Sequence, residues 1–101
     1  MHYKLKPEIF VNQPMHLARS GENDFRVMVA GHTAGRIFQT LRGSGKHVWL
    51  WTVTGPYLPG AKLSGSGDAE DLPVAKAAFR STFDGWLAWA LRQNALALWH
   101  E

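Results

Sequence analysis

The chain has no cysteine. That absence removes disulfides, thiolate metal sites and cysteine nucleophiles together. It also lacks any apolar run approaching the roughly 18–20 residues that span a bilayer. The opening segment, Met1-His2-Tyr3-Lys4-Leu5-Lys6-Pro7-Glu8, has no apolar stretch of the secretory kind. The expected location is therefore the cytoplasm, without a membrane partner. Charge of one sign is not concentrated anywhere. Eleven basic and eight acidic side chains give a formal +3, and the basic residues are scattered rather than clustered.

Recognisable catalytic patterns are missing too. His2, His16, His32, His47 and His100 show no metal-ligand spacing, and no thiol assists them. Gly43-Ser44-Gly45 and Gly65-Ser66-Gly67 lack the flanks of a nucleophile elbow. Gly45-Lys46 lacks the earlier glycine and the following Ser or Thr of a phosphate loop. Gly65-Ser66-Gly67 before Asp68 does not follow the spacing of a dinucleotide fingerprint, and it reads as a flexible lead into a helix. Glu70 and Asp71 sit at a helix start, where the helix dipole already accounts for them. The sequence thus predicts no catalytic residue, no cofactor and no metal, and the chain reads as a non-enzyme.

What is present belongs to an ordinary globular domain. With 101 residues, 46% of them apolar, there is material for one core and no second. Five tryptophans in so short a chain mean an aromatic-rich core or rings that face a partner. The strongest strand signal is Lys46-His47-Val48-Trp49-Leu50-Trp51-Thr52-Val53, full of β-branched and aromatic residues and bracketed by glycines. Before it, Phe25-Arg26-Val27-Met28-Val29-Ala30 alternates as a first strand, and Ala34 to Leu41 forms a second after a turn at Gly31-His32-Thr33. The Gly- and Pro-rich residues 54–71 form a loop, with a short fourth strand allowed at Lys62-Leu63-Ser64. A helix starts near Leu72, with Asp71 as N-cap and Pro73 in its first turn. Its stripe is Leu72, Ala75, Phe79, Thr82, Phe83, Trp86 and Ala90.

The predicted fold class is α+β: a three-stranded antiparallel meander packed on one long C-terminal helix. Residues 1–24 are an N-terminal arm, and residues 25–101 are a single β-β-β-α domain. Gly35 and Ile37 share a face with Trp49, Trp51 and Val53, and this face is expected to meet the helix. Leu87, Leu91 and Leu98 form a second stripe that needs cover from the arm or from another copy.

The Phe-Arg-Val-Met-Val, Gly35-Arg36-Ile37-Phe38 and Trp49-Leu50-Trp51 elements, followed by the Ala-rich helix with Phe79, carry a resemblance. Over about residues 25–92 the chain resembles a group of small bacterial proteins to which no activity is attached, so the resemblance implies a fold and no catalytic residue. The order of three antiparallel strands then a helix is also similar to that of plant AP2-type and integrase arm-type DNA-binding domains.

The outward sheet face supplies the candidate binding residues: Arg26, Met28, Arg36, Phe38, Arg42, Lys46 and Leu50. Basic and apolar groups mix there. The favoured expectation is a non-catalytic protein-interaction module, with a protein partner or a homodimer. The alternative is a DNA-binding module in which the arginines meet phosphates and guanine edges. A small-ligand pocket between the long loop and the sheet ranks third. Spatial clustering decides between the first two: arginines converging without acids favour nucleic acid, and a continuous Met28–Phe38–Leu50 patch favours protein.

Overall fold

Residues 2–100 are described by a computed structural model. The chain runs β1 (His2–Leu5), a 3₁₀ turn (Pro7–Phe10), β2 (Met15–Gly21), β3 (Asp24–Val29), β4 (His32–Leu41), β5 (His47–Val53), a second 3₁₀ turn (Pro59–Ala61), β6 (Ser66–Ala69), α1 (Leu72–Gln93) and β7 (Ala97–His100). β2 to β6 form one antiparallel sheet in chain order, and β1 pairs with β7 in a separate two-stranded sheet. The α+β class stands, with one long helix against the sheet and more strands than the expected three. No helix among the described residues is long and apolar enough to cross a membrane.

The meander expected from the sequence corresponds to β3, β4 and β5. The β3–β4 turn falls at Ala30-Gly31, both at positive φ, one residue earlier than the expected loop. The fourth strand is Ser66–Ala69 rather than Lys62-Leu63-Ser64, because Lys62 takes a left-handed conformation that ends the preceding 3₁₀ turn. Leu63 instead packs against the helix at Gly85, 3.3 Å from where a Cβ would stand. Much of the segment expected to be an arm is strand: Met15–Gly21 extends the main sheet beyond β3.

Alternation along the strands sets the inner face. Val27, Ile37, Trp51 and Val53 are buried against Ala75, Phe79, Phe83 and Trp86 of α1. The missing side chain of Gly35 admits the Phe79 ring, and a Cβ there would lie 2.7 Å from it. Trp51 lies opposite Gly67 on β6, where a Cβ would meet its indole at 2.8 Å. The missing Gly67 side chain thus makes room for the Trp51 indole on the neighbouring strand. Asp71 caps α1, its carboxylate accepting from the Val74 N–H at 3.0 Å.

The second helical stripe is cut short: Leu87, buried, and Leu91, exposed, lie on α1, but Leu98 does not. α1 ends at Gln93 because Asn94 adopts a left-handed conformation, and Leu98 falls on β7. The chain reverses so that Trp99 enters the core, fully buried. There it stacks on Phe10 at 4.9 Å and lies edge-on to Trp86 at 5.8 Å. β7 is held on both sides: β1 pairs with it along its length, and the His100 N–H donates to the Gly55 carbonyl at 2.7 Å.

Candidate functional site: the outer face of the five-stranded sheet

Because side chains alternate, burying Val27, Ile37 and Trp51 turns their neighbours outward. Arg26 and Met28 on β3, Arg36 and Phe38 on β4, and Leu50 on β5 consequently share the face away from α1. Arg36 stands opposite Arg26 on one side and Thr52 on the other, and Phe38 stands opposite Asp24 and Leu50. Arg42 and Lys46 lie on the β4–β5 turn at the margin, their backbones joined by the Arg42 N–H donating to the Lys46 carbonyl at 2.8 Å.

Three of the four cations in the candidate set are paired. Arg36 donates through Nε and Nη2 to both carboxylate oxygens of Asp24, at 2.9 and 2.7 Å. This two-pronged geometry is the strong form of the pair. Its hydrogen bond from Arg36 holds the Asp24 carboxyl below the usual aspartate range, and the same bond raises Arg36 above its ordinary value. The guanidinium also lies over the Phe38 ring, 3.9 Å from its centroid. Arg42 pairs with Asp68 of β6, and Lys46 approaches Glu70 at 3.7 Å. Arg26 is exposed and has no ion-pair partner among the described residues. Three carboxylates therefore stand among the four cations of the candidate set.

Between the two arginine–aspartate pairs the face is apolar. Phe38 and Leu50, cross-strand neighbours and both half-buried, form its centre. They help line a hollow of about 420 Å³ with Arg42, Thr52, Ser66 and Asp68. Met28 lies further along β3, half-buried, with the Thr33 hydroxyl 3.4 Å from its sulfur. It is separated from Phe38 by the Arg26 and Arg36 row, so the apolar patch is Phe38–Leu50 alone. The continuous Met28–Phe38–Leu50 patch expected of a protein-binding face does not form, and neither does a cluster of arginines free of acids.

Sequence reasoning missed Asp24 and Asp68. Asp24 directly follows the turn-forming Gly21-Glu22-Asn23, and Asp68 sits between a glycine-rich segment and the acidic helix start. The signal for Asp24 was in the alternation, since Asp24, Arg26 and Met28 fall at every second residue and share a face once the strand begins one position earlier. For Asp68 no local signal existed, because β6 is a strand only through its pairing with β5.

No protein-family model matches the chain, no curated protein matches it, and no solved structure matches it. Function must be read from the chain's own residues. Among the described residues there is no group of three or more acidic or histidine side chains placed to hold a metal ion.

Proposed function

We propose that this chain is a protein-interaction module whose contact surface is the outer sheet face, centred on Phe38 and Leu50. One observation carries the reading: an apolar centre is bordered by cations already neutralised within the chain. Protein interfaces have that anatomy, a desolvated apolar core inside a polar rim. The Arg36–Phe38 stack adds to it, since arginine and aromatic side chains are enriched among residues that dominate binding energy.

The same pairs weigh against nucleic acid. A phosphate approaching Arg36 or Arg42 meets the Asp24 or Asp68 carboxylate as well, and must displace it. Among the described residues, Arg26 is the one cation on this face without an ion-pair partner. Counterion release scales with the number of phosphates neutralised, so a face with one free cation gains little from it. The partner that fits is a protein surface offering an apolar side chain to the Phe38–Leu50 hollow, with mixed charge around it.

Titration with mixed-sequence duplex DNA at low salt and at about 0.15 M salt separates the two readings. Binding at the higher salt is expected to be no tighter than the non-specific range of roughly 10⁻⁴–10⁻⁶ M. Nanomolar, sequence-dependent affinity that falls on substitution of Arg26 or Arg36 by Ala would overturn the proposal in favour of DNA recognition.

A further inference from the structure

The two edges of the main sheet differ. β6 is four residues long, includes Gly67, commits Asp68 to Arg42, and runs directly into Glu70 and Asp71. β2 is seven residues long and pairs with β3 on one side only. Among the described residues, no backbone hydrogen bond leaves Met15–Gly21 on its other side. In an antiparallel pair alternate residues point their N–H and C=O groups away from the partner strand, so this edge presents unpaired donors and acceptors.

We infer that β2 is a self-association edge, pairing antiparallel with β2 of a second copy about a two-fold axis at Leu17. The inference stands apart from the reading of the outer face, since it uses main-chain groups at the sheet margin and not Phe38 or Leu50. It joins two five-stranded sheets into one continuous sheet. An isologous contact of this kind closes on itself and gives a dimer rather than a filament.

The register follows from the residues. Pro14 lacks an N–H and bounds the usable segment on one side. A bulge between Arg19 and Gly21 bounds it on the other. Met15 to Arg19 is the straight part, and its only charged or titratable side chains are His16 and Arg19. With Leu17 opposite itself, Met15 faces Arg19 of the second copy and His16 faces Ala18. All five residues pair, and no cation stands opposite another. Centring on Arg19 sets two guanidinium groups against each other, unfavourable as a direct cross-strand pair, and centring on His16 places Pro14, which has no N–H to give the ladder, opposite Ala18. Centring on Ala18 brings the bulged Ser20 opposite His16, and centring on Met15 brings Pro14 into the ladder. Leu17 is half-buried in the single chain and partly covered by the core. In the Leu17-centred register the two Leu17 side chains meet on the inner face and cover each other's exposed part.

The absence of cysteine makes the register testable with single introduced thiols. Leu17→Cys places two thiols opposite each other at the axis. Ala18→Cys places them on the other sheet face and offset along the strands, beyond the roughly 7 Å Cα separation that a disulfide tolerates. Under mild oxidation Leu17→Cys is expected to form covalent dimer at least tenfold faster than Ala18→Cys. The unmodified full chain is expected, in sedimentation across a range of concentrations, to rise from monomer mass to twice that mass. A constant monomer mass at the highest concentration would overturn the inference, and so would equal rates of linking for the two variants. The sedimentation arm needs no substitution, so it decides even where Leu17→Cys weakens the fold.

Discussion

Trp51 shows how single residues fix the orientation of this sheet. Its indole is nearly buried, and it fits because its neighbour across β6 is Gly67. Truncating it leaves a cavity between the sheet and α1, so Trp51→Ala is expected to cost about 3–5 kcal/mol, read as a lowered urea midpoint. An unchanged midpoint would mean that the Trp face is not the inner one. On the other face Asp24 makes a separate, smaller statement. The hydrogen bond from Arg36 holds its folded-state pKa below the ordinary aspartate value, so the pair contributes stability above that ordinary value. The contribution is lost as pH falls through the lower folded-state value. Asp24→Asn is therefore expected to lower stability at neutral pH and to match the wild type in strong acid. Denaturation at the two pH values checks it, and an undiminished gap in strong acid would contradict it. The pair is partly exposed, so the neutral-pH difference is expected to be small. The inward turn of Trp51 was legible in the sequence because Gly35, Ile37, Trp51 and Val53 alternate consistently. The partner of Arg36 was not, because Asp24 directly follows turn-forming residues.

At the scale of elements, what the sequence revealed and what it concealed divide by the source of each element's order. β3, β4, β5 and α1 carry their own periodicity, and α1 carries its cap at Asp71. β2 reads Met-His-Leu-Ala-Arg-Ser-Gly, without a β-branched residue, and is a strand because β3 presents it with a ladder. β6, as Ser-Gly-Asp-Ala, has even less intrinsic preference. β7 contains Ala97 and Leu98, which continue a helical pattern by composition, and only the left-handed turn at Asn94 redirects them. Its partner β1 lies at the far end of the chain, a pairing no local pattern announces. The cover for the helix end follows from this. Phe10 is fully buried among Phe83, Trp86 and Trp99, while Leu91 stays on the surface, 37% exposed. Phe10→Ala is expected to cost about 3–5 kcal/mol. Leu91→Glu is expected to change stability by no more than about 0.5 kcal/mol, as surface substitutions do. Paired denaturation curves test both, and a larger loss from Leu91→Glu than from Phe10→Ala would contradict this assignment of core and surface.

For the whole molecule, burying one face of a five-stranded sheet under a single helix leaves the other face open. The chain does not fill that face with free charge. It ties Arg36 to Asp24 and Arg42 to Asp68, and places Phe38 and Leu50 between them. The three-strand-then-helix order shared with some DNA-binding domains is therefore embedded in a wider sheet with a largely neutralised surface, and architecture alone does not fix function. Pairing along β2 would set two such faces side by side, so that a partner with two matching sites gains from effective concentration as well as from contact. The most direct test is to place a photo-crosslinking amino acid at Leu50 of the full chain in the cells that express it. Position Ala88, exposed on the helix, serves as control. The proposal predicts discrete protein adducts from position 50 that are absent from position 88 and lost on adding Phe38→Ser to a chain that remains folded. Adducts to nucleic acid, or an identical pattern from both positions, would contradict it.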